Sequence, residues 1–406
     1  MANRISDIFA SHFTSPASRL NLCLFAGVAS LGTLILLRST SGSLESDRPE
    51  IIPSPAQTIL PCLSGEEKRA LPYPPDALRG ARDVDSPYGS VRLYEFGPEQ
   101  GEKVLLIHGI STPSIALAGL AHQLVERGYR VMLFDLFGRG FSSGPDPSTH
   151  RYDSALYASE ILLCIQSSPI PWTSFTLIGY SLGGAIAADF ASYFPNLIKG
   201  LVLVAPGGLI RTKHITWKSK LLYSTGGLIP EFLIQRLVAR RLWTGPETTR
   251  TIEPEPDGQA SPLNDDEPKG GLRSRAVYIT SHLGLLRDNP NSTASTVVDW
   301  QLLHHQGFVP AFISSIRYAP IHNQHHRWRI VAQNIEKGVG ELKEVWLVLG
   351  DADPIIIAEE LIEDAREVLG EKKLRVRIVK GAGHEVAIDR ADEIVEVVDQ
   401  ALKEQA

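Results

Sequence analysis

The chain has 406 residues, with 40 Lys+Arg against 46 Asp+Glu and a formal net charge of −6. A mildly acidic protein without a long basic block lacks the electrostatic footprint of a nucleic-acid binder, so no nucleic-acid partner is expected. The length suits one large α/β domain with an insertion, or two ordinary domains. Cys23, Cys62 and Cys164 are scattered, with no CxxC or Cys/His metal spacing, which argues against a disulfide framework.

After a tail over 1–19 comes 20–37, an uncharged run of eighteen residues between Arg19 and Arg38. That is about the minimum length for a helix across a bilayer. It reads as a transmembrane signal anchor, a single pass on the endoplasmic reticulum or another internal membrane. A cleaved signal peptide, using the small residues 39–43, and a mitochondrial presequence are the alternatives. The flanking charges are nearly balanced, so orientation stays open. Residues 38–76, polar and Pro-rich, read as a linker.

The catalytic part is expected from residue 77. Strands are predicted at 91–96, 103–107, 130–134, 175–178 and 200–205, with helices to about Arg127 and over 154–166. Strands alternating with helices at this spacing imply a mainly parallel sheet with helices on both faces. From 206 to 325 the rhythm breaks, and the segment reads as a helical cap inserted into the sheet. Within it, 215–243 mixes helical apolar spacing with Lys and Arg, and 253–271 is an acidic, Pro/Gly-rich loop. Residues 297–316 read as helix, broken near Gly307 and Pro310. The histidines at 304, 305, 322, 325 and 326 have no HExxH spacing and no clustered carboxylates, so they are not assigned to a metal. Over 326–406 the sheet resumes, with strands at 344–349 and 374–379 and a last amphipathic helix at 391–403.

The chemistry centres on Gly179-Tyr180-Ser181-Leu182-Gly183. An apolar strand precedes this turn and an Ala-rich helix follows it, the context in which Gly-x-Ser-x-Gly marks a nucleophile. The backbone N–H of Leu182 then stands at a helix N-terminus, where developing negative charge is stabilised. Serine needs a base, and the base an orienting carboxylate. Asp351 or Asp353, then His384, supply both in the order Ser, Asp, His, each just after a predicted strand. Such strand ends share one edge of a parallel sheet.

The chain thus resembles the α/β-hydrolase-fold serine hydrolases over roughly 77–405. His108-Gly109, Asp135-x-x-Gly138-Arg139-Gly140-x-Ser142, the elbow at Ser181, Gly350-x-x-Asp353 and Gly383-His384 carry the likeness. The resemblance implies a triad of Ser181, Asp353 and His384, with Asp351 the runner-up acid, and an oxyanion hole from the N–H groups of Ile110 and Leu182. It gives His108 and the turn after Asp135 structural duties. It further implies two-step acyl transfer through an acyl-enzyme and without metal or organic cofactor. Carboxylic esters of apolar or lipid-like kind are the expected substrates, because the anchor places the site near lipid and the basic, apolar 215–243 suits an anionic interface. Around 201–209 the chain is also similar to membrane-bound monoacylglycerol lipases. A prolyl-aminopeptidase-like or amide hydrolase, and a non-catalytic binding member, are the rival readings.

Overall fold

A computed structural model describes residues 50–214, 217–227, 229–244, 282 and 284–403. The expected anchor at 20–37 and the acidic stretch at 253–271 lie outside the described residues. Among the described residues, no helix is long and apolar enough to cross a membrane.

The linker expected over 38–76 has to be corrected from Glu50 onward, where the chain joins the main compact unit. Strand β1 (Ile51–Ile52) pairs antiparallel with Gly144–Pro145. Helix α1 (Pro55–Thr58) starts with the Ser54 N–H donating to Gln57 Oε1 at 3.1 Å, and helix α2 (Gly65–Ala70) starts at a capping box, Ser64 with Glu67. Leu60, Tyr73 and Leu78 are buried in the core. The prolines suggested a solvated spacer. Here proline sits in the first turn of α1, where its missing N–H costs no hydrogen bond, and the scattered apolar residues pack.

The chain continues through β2 (Ala81–Ser86), β3 (Gly89–Phe96), β4 (Lys103–Ile107), α3 (Ala118–Glu126), β5 (Arg130–Phe134) and β6 (Gly144–Pro145). Next come α4 (Ser154–Gln166), β7 (Phe175–Tyr180), α5 (Leu182–Tyr193) and β8 (Ile198–Val204). Before the sheet resumes lie α6 (Trp217–Leu222), α7 (Glu231–Leu242), the hairpin β9 (Gly284–Leu286) and β10 (Asn289–Thr293), α8 (Ala294–His304), α9 (Phe308–Tyr318) and α10 (His325–Glu336). The last elements are β11 (Val345–Gly350), α11 (Ala358–Leu369), β12 (Leu374–Val379), α12 (Val386–Asp389) and α13 (Ala391–Lys403).

Eight strands form one sheet in the order β12-β11-β8-β7-β4-β5-β3-β2. The pairs β2–β3 and β3–β5 are antiparallel, and the remaining pairs are parallel. Strands β7 and β11 are buried along their whole length, as expected of parallel strands covered on both faces, which read as unbroken apolar runs. Edge strand β12 instead carries Arg375 and Arg377, charges that discourage further pairing. The β2–β3 hairpin was not anticipated, because the polar sequence of β2 suits an edge and carries little apolar signal.

The crossover from β4 to β5 runs one way along the sheet, and those from β5 to β7, β7 to β8 and β11 to β12 run the other. Right-handed connections therefore put α3 on one face and α4, α5 and α11 on the opposite one. Packing agrees: α3 meets α13, α4 meets α5, and α10 meets both α5 and α11. The direction reverses where β4 and β7 lie side by side, and ligand crevices form at the carboxyl ends of strands at such a point.

Candidate active site

Ser181 occupies that point, between β7 and α5, with φ 55° and ψ −116°. A serine on the left-handed side of the map costs on the order of 1–3 kcal/mol and survives only where its surroundings hold it. Its N–H donates to the Val204 carbonyl at 3.0 Å, and its own carbonyl accepts from Gly184 and Gly207 at 3.0 Å each. The flanking glycines are needed for space. A Cβ at Gly179 would lie 2.2 Å from the Gly183 oxygen, and one at Gly183 would lie 2.1 Å from the Ile107 oxygen. The tight elbow lifts the hydroxyl clear of the sheet.

His384 and Asp353 reach this hydroxyl from neighbouring strand ends. His384 Nδ1 lies 2.9 Å from Asp353 Oδ2, and its Nε2 lies 2.9 Å from Ser181 Oγ. An ionised carboxylate only accepts, so the imidazole proton sits on Nδ1 and Nε2 is left to accept from the serine O–H. Asp353 is buried, and its second oxygen accepts the Ile355 and Ile356 N–H groups at 2.7 and 2.9 Å. Asp351, the alternative acid, is exposed and accepts from the Gly381 N–H at 2.6 Å. It braces the loop that carries His384, and the structure brings Asp353, not Asp351, against the imidazole. The Tyr180 ring lies 5.6 Å from the His384 ring.

The loop after β4 comes up beside the serine: a Cβ on Gly109 would be 3.4 Å from Ser181 Cβ. His108 Nε2 accepts from the Leu136 N–H at 2.9 Å, so its Nδ1 is the protonated nitrogen and donates to the Gly109 carbonyl at 2.7 Å. Burial, and then the Arg139 charge, push the His108 pKa down to about 3, which keeps it neutral. Arg139 Nε in turn donates to the Ile110 carbonyl at 3.2 Å. In a trans peptide the C=O and N–H point opposite ways. Holding the Gly109 carbonyl therefore aims the Ile110 N–H, and His108 acts on the backbone instead of on protons. Leu182 is the first residue of α5, so its N–H has no partner within the helix.

Residues on α8 and α9, together with Asp135 of the turn after β5, complete the support. Gln301 on α8 donates to the Ser111 carbonyl at 2.9 Å and accepts from the Gly140 N–H at 2.8 Å. Ser315 on α9 accepts from Arg139 Nη2 at 2.7 Å. His305 Nδ1 accepts from the Gly307 N–H, and its Nε2 donates to the Ser142 carbonyl at 2.9 Å. Burial lowers its pKa to about 4. Asp135 is wholly buried, its carboxyl raised by that burial, and it accepts from the Phe141 and Ser114 N–H groups and from Tyr73 Oη. The contacts of Gln301, Ser315 and His305 across the fold were not legible in advance, because a local motif lies within one stretch of chain whereas these join residues over a hundred positions apart. Among the described residues, no group of His, Cys, Asp and Glu is placed to hold a metal ion.

Residues 103–231 match the family model described as the alpha/beta hydrolase fold. The chain is similar to an uncharacterized protein of Mycobacterium tuberculosis, with 33% identity over 35% of this chain and 41% of that one. It is also similar to a serine hydrolase-like protein of Danio rerio, 29% identical over 31% of this chain and 38% of that one. The chain thus spans about two fifths of the length of these curated relatives. Among solved structures, it shares the fold of a bacterial membrane phospholipase A, with TM-score 0.53, 19% identity, and 93% of this chain and 99% of that one covered. The carboxylesterase CesB of Bacillus subtilis is similar at TM-score 0.51 and 17% identity, over 79% of this chain and 90% of that one.

Proposed function

We propose that this chain, a member of the α/β-hydrolase-fold family, is a serine hydrolase that cleaves carboxylic esters of apolar, lipid-like kind. The observation that carries the reading is the unbroken hydrogen-bond chain from Ser181 Oγ through His384 to Asp353, at 2.9 Å and 2.9 Å. In the first half-reaction Ser181 Oγ bonds to the ester carbonyl carbon while its proton passes to His384 Nε2. Asp353 holds the imidazole with its Nδ1 protonated and favours the imidazolium that forms. The Ile110 and Leu182 N–H groups face the new oxyanion, each donor worth roughly 3 kcal/mol. The carbon–oxygen bond to the leaving alcohol breaks as Nε2 returns its proton to that oxygen. Water then repeats the sequence on the acyl-enzyme, releasing the acid and restoring Ser181.

The reading is in keeping with two neighbours in fold, a carboxylesterase for the ester preference and a membrane phospholipase A for the lipid-like one. In this reading residues 20–37 anchor the protein to an internal membrane, and the elements inserted between β8 and β11 act as the cap over the site. Fluorophosphonate labelling tests the core of it. Wild type should label at Ser181 and turn over a panel of esters best at longer acyl chains, and Ser181→Ala should do neither. An unlabelled wild type that turns over no ester on the panel would make the protein a non-catalytic member of the family.

A further inference from the structure

The elements inserted between β8 and β11 expose an unusual combination of side chains. Of nine large apolar residues exposed among the described residues, six lie on or beside α6 and α7: Trp217, Leu221, Phe232, Leu233, Leu237 and Trp243. On α7 the apolar residues share the outward face with arginines. At 100° per residue, Phe232, Arg236, Arg240, Leu233 and Leu237 fall within one half of the helix, and all are exposed. Ile234 and Val238 fall on the other half and are buried. The helix's single acid, Glu231, is taken by Arg317 at 2.9 Å. The face is therefore basic as well as apolar.

We propose that this outward face of α7 docks on an anionic phospholipid bilayer. Two observations select that partner. Charge complementarity favours a negative surface, and Phe232, Leu237 and Trp243, at 67%, 51% and 43% exposure, supply the apolar groups an interfacial helix buries between headgroups. A second copy of the chain fits less well, because a two-fold contact would bring Arg236 and Arg240 against their own equivalents. The underside of the same helix ties docking to the site. Ile234 and Val238 form a cluster with Phe312 and Ile313, and Ile110 packs against that cluster. The bilayer surface would thus lie about one helix diameter, roughly 10 Å, above the oxyanion loop. The proposal rests on the lipid-ester reading and specifies where its substrate is met.

The test uses the full chain reconstituted in phosphatidylcholine vesicles with brominated acyl chains, with or without phosphatidylglycerol. Because residues 20–37 are present in every sample, attachment itself is not the readout. The signal is bromine quenching of Trp243 fluorescence, taken as wild type minus Trp243→Phe. Quenching should appear only with phosphatidylglycerol, and Arg236→Glu/Arg240→Glu should lose most of it. That variant should also raise KM for a vesicle-borne ester about tenfold, while turnover of a short soluble ester stays within about twofold. Quenching equal in neutral and anionic vesicles would overturn the proposal. So would a Trp243 unquenched by lipid yet shielded from iodide, which would mean that protein covers the face: a second copy, or the chain's own acidic 253–271. Absence of soluble-ester turnover in wild type would instead defeat the hydrolase reading and leave the quenching result standing.

Discussion

Asp353 holds His384 through one carboxylate oxygen, at 2.9 Å, while two backbone N–H groups of its own loop hold the other. The carboxylate is thereby anchored before it orients the imidazole. Asp353→Asn should keep the shape but offer an amide N–H to one side or the other, favouring the wrong imidazole tautomer. Turnover should fall by about ten-thousand-fold. Asp351→Asn, changing an exposed brace, should cost no more than about tenfold in turnover. Steady-state kinetics of the two variants on one ester decide the assignment, and a reversed order would move the acid role to Asp351.

Gln301 joins the Ser111 carbonyl to the Gly140 N–H, so it clamps the loop after β4 to the turn after β5. Gln301→Leu removes both bonds and leaves the buried Gly140 N–H and the half-buried Ser111 carbonyl without this partner, a loss of about 2 kcal/mol in stability. Because the loop it steadies carries Ile110, kcat should drop about tenfold, with KM changed less. A variant equally destabilised in denaturant but unaltered in kcat would reduce Gln301 to a packing role.

Gly183→Ala tests the closeness of α5 to β4. The added methyl would sit 2.1 Å from the Ile107 carbonyl oxygen, a backbone atom that cannot swing aside. Destabilisation of about 3 kcal/mol or more is expected, seen as a lowered Tm or as insoluble expression. A Tm near that of wild type would mean that helix and strand can separate without cost.

His305 predicts a pH dependence of known sign. Its pKa is about 4 in the folded protein, depressed by burial, against an ordinary 6.5. Between those values the unfolded chain binds the proton and the folded one does not, so this residue's contribution is complete above pH 6.5 and is lost as pH falls toward 4. Buried Asp135 has its pKa raised and opposes this trend, so the comparison has to be between variants. Denaturant unfolding of wild type and His305→Gln over that range should differ in slope by one proton, about 1.4 kcal/mol per pH unit. Parallel curves would show that His305 takes up its proton without unfolding.

What the amino-acid sequence alone determined was everything local. Buried parallel strands announce themselves as short apolar runs, and Gly179 to Gly183 states the elbow because close packing and a strained serine leave no other residues possible there. The order Ser181, Asp353, His384, each past a strand, followed from the regular alternation of strand and helix. Position after a strand left Asp351 and Asp353 both open, and only the likeness of Gly350-x-x-Asp353 to the family pattern favoured Asp353; the folded turn supplies the physical reason, since it sets Asp353 against His384. Tertiary structure alone decided that residues 50–76 pack on the domain despite their prolines. It also decided that Gln301, His305 and Ser315 brace loops more than a hundred residues away. Such contacts depend on which surfaces the sheet order brings together, and a polar side chain within a helix carries no local mark of the backbone it will meet.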